Sequence, residues 1–204
     1  MFLNSYSNYL LMNIGVLAFQ GGVIEHIKAT KDAAKKLGLK CDVVAVKYKK
    51  DFNELDRLII PGGESTTLWK LIEREGIVDK IKSVKAIFGT CAGAIMIAKK
   101  VKGLVDEQKS LDLVDIETDR NAYGPQTESF ETDIETALGK MHAVFIRAPK
   151  INVEKNVRVL GKLNNEIVAA EQRTKDKFYL ITSFHPELTT TLFHEYFLRT
   201  TSRL

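Results

Sequence analysis

Three residue types suited to acyl chemistry stand in telling surroundings: a cysteine, a histidine and a glutamate. Cys91 lies in Phe88-Gly89-Thr90-Cys91-Ala92-Gly93, with a glycine two residues away on each side. The apolar run Ala86-Ile87-Phe88 precedes it, and an alanine-rich apolar segment, Ala92 to Ala98, follows. That order reads as strand, sharp turn and helix, the cysteine counterpart of the G-x-S-x-G nucleophile elbow. An elbow residue sits in a strained backbone conformation, so its neighbours must be small. The following helix would aim its first N–H groups and positive end at the sulfur, which favours the thiolate. A cysteine without such a setting is most often a small buried hydrophobe. Cys41, between Lys40 and Asp42 at a strand start, carries only that reading.

A nucleophilic cysteine needs a base. The chain has four histidines, His26, His142, His185 and His194. His185 stands out because Phe184-His185-Pro186-Glu187 follows the strand Tyr179 to Thr182. It therefore sits at the strand ends, where open α/β sheets build their sites. Pro186 biases His185 toward an extended conformation. Glu187 then shares its side-chain parity, so its carboxylate can hold the imidazole tautomer and stabilise the imidazolium. A loop histidine beside a solvated glutamate is the plainer alternative. His26, beside Glu25 in the first helix, and His194, beside Glu195 in the last, read as surface or loop-contact residues. His142 precedes a strand and has no assigned role.

A third element is Pro61-Gly62-Gly63-Glu64-Ser65. Two glycines between a strand and a helix leave backbone N–H groups bare, the construction of an oxyanion or anion site. An ordinary strand-to-helix turn with Ser65 as N-cap would look the same. The phosphate-loop pattern G-x-x-x-x-G-K-[ST] is absent.

The elements that must position these residues alternate in type. Asn13 to Phe19 is a continuous apolar run, predicted as a buried strand. Val23 to Leu37 is predicted as a helix closed by Gly38. Strands follow at Asp42 to Val46, Leu55 to Ile60 and Lys85 to Phe88, with a helix from Ser65 to Glu75 stopped by Gly76. These are βαβ units around a parallel sheet. Later strands at Asp112 to Asp119, Ala143 to Arg147, Val157 to Leu160, Ile167 to Glu171 and Phe178 to Thr182 have little helix between them. They are expected as antiparallel additions to that sheet. Thr189 to Arg199 is predicted as a final helix.

The chain's 204 residues suit one α/β domain, residues 12–204, after an N-terminal extension, residues 1–11. The net charge of +4 is dispersed, so a solvated face rather than a nucleic-acid surface is expected. Two cysteines make no disulfide framework, which places the chain in a reducing cytoplasm. No apolar run is long enough to span a membrane, and residues 1–12 have no basic region of the signal-peptide kind. No metal-ligand or cofactor pattern is evident.

In this order the pieces resemble the class I, triad-type glutamine amidotransferases. The resemblance narrows to the glutaminase subunits of pyridoxal 5′-phosphate synthases. It is carried by Gly15-Val16-Leu17-Ala18-Phe19-Gln20-Gly21, Leu58 to Thr67, Phe88 to Gly93, Asp119-Arg120-Asn121-Ala122-Tyr123-Gly124, Ser129-Phe130-Glu131, Phe145-Ile146-Arg147-Ala148-Pro149 and Thr182 to Thr189. It runs from about Asn13 to about Phe197. It implies that Cys91 attacks the side-chain amide of L-glutamine, His185 protonates the leaving ammonia and Glu187 orients His185. Hydrolysis of the glutamyl thioester completes the cycle. It also implies an oxyanion hole at the N–H groups of Gly63 and Ala92. Glutamine contacts are implied for Gly63, Glu64, Ser65, Arg120, Ile146 and Arg147, with Gln20 shaping the pocket near the partner. An arginine suits the α-carboxylate through its bidentate fork. The ammonia passes to a separate synthase chain, an obligate partner in a large hetero-oligomer, whose docking orders the loop at Pro61-Gly62-Gly63. No cofactor is implied for this chain.

The departures are Asp119 for the usual glutamate, Tyr123 for phenylalanine, Pro125 for arginine, Gly22-Val23, and a shorter stretch between Gly76 and Phe88. None replaces a triad residue. Two alternatives stay in view. One is a glutaminase of another amidotransferase, such as the one feeding imidazole-glycerol-phosphate synthesis, or a stand-alone cysteine hydrolase. The other is a silent regulatory subunit on the same fold.

Overall fold

The apolar run at Asn13 folds as strand β1, Met12–Leu17, and its last four residues are fully buried. It belongs to a computed structural model describing residues 11–105, 108–120 and 129–200. Apart from Leu11, the N-terminal extension lies outside the described residues. So do two of the family departures, Tyr123 and Pro125.

The elements in chain order are β1, α1 (Val23–Leu37), β2 (Cys41–Val46), β3 (Arg57–Ile60), α2 (Ser65–Arg74), α3 (Val78–Ser83), β4 (Ala86–Thr90), α4 (Ala92–Ile97) and β5 (Ala98–Lys102). There follow β6 (Val114–Asp119), β7 (Phe130–Thr136), β8 (Gly139–Phe145), β9 (Lys150–Val153), β10 (Val157–Leu163), β11 (Glu166–Arg173), β12 (Phe178–Thr182) and α5 (Leu192–Arg199). Short 3-10 turns occupy Lys49–Phe52 and Pro186–Leu188.

The strands join in the order β2-β1-β3-β4-β12-β11-β10-β7-β8. From β2 to β12 every pairing is parallel. Beyond β12 the neighbours β11, β10, β7 and β8 are antiparallel, as expected from the helix-poor second half. A parallel pair, β5 with β6, attaches through β9, which runs antiparallel to both β6 and β11.

Alternation along the central strands feeds two cores. Leu17, Leu58, Ile60 and Ile87 face α2, α3 and α4 with Leu68, Trp69, Ile72, Ile81 and Met96. Ile14, Val16, Ile59 and Phe88 face α1 and α5 with Ala33, Phe193 and Phe197. A sheet covered on both faces needs both parities apolar, which is why these strands read as unbroken hydrophobic runs. Helix α1 buries His26, Ala29, Thr30, Ala33 and Ala34, an i, i+3, i+4, i+7, i+8 stripe. It ends at Gly38 in the left-handed conformation, φ 66°.

Several sequence-based boundaries move. The helix after the elbow spans only Ala92–Ile97, because Ala98 turns extended and enters β5. The last helix begins at Leu192 rather than Thr189, because Pro186–Leu188 forms a separate 3-10 turn. The N-cap of α2 is Glu64, not Ser65: its carboxylate accepts the N–H groups of Thr66 and Thr67. Among the described residues no helix is long and apolar enough to cross a membrane.

Candidate functional site

Strand register brings the separate motifs together. Thr90 at the end of β4 pairs with Thr182 at the end of β12, and Gly89 pairs with Ile60 of β3. The residues that follow these strands therefore emerge side by side: Cys91, Ser183 to Glu187, and Pro61-Gly62-Gly63. The N–H of Cys91 donates to the carbonyl of Thr182 at 2.9 Å, tying the elbow to β12.

Cys91 holds φ 49° and ψ −108°, a sparsely populated conformation that costs on the order of 1–3 kcal/mol. The strain is maintained by close backbone packing. A Cβ on Gly93 would lie 1.9 Å from the carbonyl oxygen of Ile60, and one on Gly62 would lie 2.4 Å from Cε1 of His185 and 3.3 Å from Cβ of Cys91. Only glycine lets these backbones approach. Cys91 Sγ lies 3.6 Å from the carbonyl of Ile146. The first N–H groups of α4 have no intrahelical acceptor.

His185 Nδ1 lies 2.7 Å from Glu187 Oε1, with both side chains buried. This contact does not arise from an extended segment. His185 has φ −106° and ψ 82°, and Pro186 opens the 3-10 turn that carries Glu187 back under the ring. Burial disfavours the charged ring, but hydrogen bonds to Cys91 and Glu187, with their negative charge, outweigh it and push the His185 pKa up to about 10. The site therefore favours an imidazolium facing the sulfur.

Beside the sulfur lies a cleft of about 330 Å³ whose lining includes Gly63, Cys91, Ile146, Arg147, His185 and Glu187. A cleft of that size admits a small metabolite. Gly63 has φ 131°, and Gln20 packs against it while donating from Nε2 to the Glu64 carbonyl at 2.5 Å. The carbonyl oxygen of Gly62 lies against Gly21, so close that a Cβ there would be 2.1 Å away. Arg147 also takes a positive φ, 47°, at the cleft wall.

Glu64 and Arg120 form a second group at the start of α2. Arg120 Nη2 lies 3.2 Å from Glu64 Oε1, and Nη1 donates to Thr66 Oγ1 at 3.1 Å and to Gln108 Oε1. Partial burial opposes ionisation of Glu64, but the N–H groups of Thr67 and Thr66 hold its pKa down to about 2. Ser65 is buried at the first turn of α2.

Two residues read as surface positions are the opposite. His26 and His194 are both fully buried. His26 Nδ1 lies 3.0 Å from His194 Nε2, and His26 Nε2 lies 3.1 Å from Thr90 Oγ1 and 3.3 Å from Glu187 Oε2. The helical stripe of α1 was the available signal, since His26 precedes Ala29, Thr30 and Ala33 at i+3, i+4 and i+7. His142 is exposed and pairs with Asp133 and Glu131.

The sequence profile of the SNO glutamine amidotransferase family matches residues 16–203. The chain belongs to that family. Among curated relatives, the pyridoxal 5′-phosphate synthase subunit PdxT of Pyrococcus furiosus is 43% identical over 198 residues, 93% of this chain and 98% of the relative. The PdxT of Korarchaeum cryptofilum is 46% identical over 197 residues, 92% and 98% of the two chains. A solved glutamine amidotransferase structure superposes with a TM-score of 0.76 at 43% identity, covering 91% of this chain and 97% of the other. A putative GMP synthase subunit from Thermoplasma acidophilum, 17% identical with a TM-score of 0.60, shares the fold over 92% of each chain.

Proposed function

We propose that this chain is the glutaminase subunit of a pyridoxal 5′-phosphate synthase. It hydrolyses L-glutamine to glutamate and ammonia and passes the ammonia to a synthase subunit. The observation that carries this reading is the convergence of Cys91, His185 and Glu187 beside one cleft, in a member of a glutamine amidotransferase family. The names of the curated relatives supply the destination of the ammonia.

In this reading Cys91 Sγ attacks the amide carbon of glutamine, and the oxyanion is held by the N–H groups of Gly63 and Ala92. His185 gives its Nε2 proton to the leaving ammonia, leaving a glutamyl thioester. His185 then takes a proton from water, the hydroxide adds to the thioester carbon, and glutamate and the thiol are released. Glu187 keeps the proton of His185 on Nδ1, so that Nε2 serves the reaction. Gly63, Glu64, Ser65, Arg120, Ile146 and Arg147 are assigned to glutamine. The exposed side chains of Ile146 and Leu188 give the cleft an apolar rim suited to a docking synthase. A cytoplasmic setting goes with this reading.

Glutamine hydrolysis, measured as ammonia release with and without the cognate synthase, tests the proposal. Activity should rise on adding the synthase. Cys91→Ala should abolish it, by several orders of magnitude, while the complex still makes product from ammonium salts. Substantial ammonia release by Cys91→Ala would overturn the nucleophile assignment. Full activity without the synthase would favour a stand-alone hydrolase.

A further inference from the structure

We propose that His26 is a positioning residue of the triad, turning its Nε2 proton toward Thr90 Oγ1 with the outer carboxylate oxygen of Glu187 beside it, and with its own tautomer set by His194. The proposal rests on the glutaminase reading for its effect on rate, but its geometry stands independently. Glu187 has two oxygens and both are buried. Oε1 receives His185 Nδ1 at 2.7 Å. Oε2 has no aligned hydrogen bond among the described residues, and His26 Nε2 lies 3.3 Å from it. A carboxylate oxygen buried without a donor is costly.

The tautomers follow from counting protons. His194 bonds through Nε2 to His26 Nδ1, while its own Nδ1 is buried with no hydrogen-bond partner. If His194 carried its proton on Nδ1, an N–H donor would be orphaned, and His26 would present a lone pair to the Glu187 carboxylate. With the proton on His194 Nε2, His194 donates to His26 Nδ1. The proton of His26 then sits on Nε2, bonded to Thr90 Oγ1 and with Glu187 Oε2 3.3 Å from the same nitrogen. Only a bare acceptor is left over, at His194 Nδ1, which is the cheaper orphan. Both rings are held neutral. Burial, then the neighbouring charges of His194 and His185, lowers the pKa of His26 well below the usual value, and burial takes that of His194 down to about 3. The result is a buried line, His194 to His26 to Glu187 to His185, in which each oxygen of the orienting carboxylate has an imidazole nitrogen beside it.

Histidine nitrogen NMR on the full chain at pH 7 tests the tautomers directly. His26 and His194 should both be neutral with the proton on Nε2. A proton on His26 Nδ1 would overturn the proposal, because its lone pair would then face Glu187. Kinetics with the synthase present test the consequence. His26→Leu should lower kcat for glutamine by about tenfold, the low end for losing a polar group beside a charge, with KM changed less than about twofold. His26→Gln places an amide N–H within reach of the same oxygen and should restore most of the rate. Unchanged kcat in His26→Leu, or a folded His26→Gln as slow as the leucine variant, would also overturn it. If the wild-type complex releases no ammonia, the glutaminase reading fails, whereas the tautomer measurement still decides the place of His26.

Discussion

Acidification from pH 7 to pH 5 should weaken the fold through His194, and His194→Phe should remove that loss. His194 is fully buried, with one ring nitrogen on His26 and the other unpartnered. Burial pushes its pKa down to about 3, against roughly 6.5 in the unfolded chain. Between these values the unfolded chain binds a proton that the native state refuses. Stability therefore rises with pH across this window and falls as the medium is acidified. Each pH unit crossed inside the window costs roughly 1.4 kcal/mol. Going from pH 7 to pH 5 crosses about one and a half units of it, so the loss is about 2 kcal/mol. Carboxylates contribute little here, because their unfolded pKa values lie near 4. His185 acts in the opposite direction, since its native pKa is raised, but it is common to wild type and variant. His26 acts in the same direction as His194, chiefly through burial, and is present in both proteins. A phenylalanine at 194 would sit beside Phe88, whose ring centroid is 5.6 Å from that of His194. Urea unfolding of both proteins at pH 7 and pH 5 gives the comparison. On acidification the wild type should lose about 2 kcal/mol more than the variant. A difference under about 0.5 kcal/mol would refute the reasoning, because His194 would then titrate freely in the native state.

Glu187→Gln should slow glutamine hydrolysis by roughly 10²–10⁴-fold, as expected when a base loses its tautomer-fixing carboxylate, yet leave more activity than Cys91→Ala; wild-type turnover would reduce Glu187 to a structural role. Gly93→Ala should destabilise the fold by at least about 2 kcal/mol in urea unfolding, because the new methyl would sit 1.9 Å from the rigid Ile60 carbonyl; an unchanged midpoint would mean that the elbow relaxes freely.

The local order of elements was legible because continuous apolar runs and glycine stops are one-dimensional signals. Helix α1 runs from Val23 to Leu37 and β12 from Phe178 to Thr182, both as the sequence predicts. The strand-turn-helix around Cys91 and the pairing of His185 with Glu187 were also readable, from glycine spacing and from proximity in the chain. Short amphipathic pieces such as α3 and β9 carry too few residues for a periodic signal, and they were missed. Strand β7, between β10 and β8, was missed because its mostly exposed polar residues give no apolar run.

By itself the sequence determined which residues could do the chemistry and that a parallel sheet would present them at strand ends. It could not determine which strands are neighbours. That choice, β3 beside β4 beside β12, brings residues 62, 91 and 185 to one cleft across more than 120 positions of chain. The tertiary structure also reversed the meaning of His26 and His194. Each stands beside a glutamate in the chain and reads as solvated, yet α1 and α5 pack face to face over Phe88 and enclose both rings. Burial removes the water that would have satisfied their nitrogens, so the two rings bond each other and His26 alone approaches Glu187. The stripe of α1 marks His26 for burial, but only long-range packing decides which groups its ring meets.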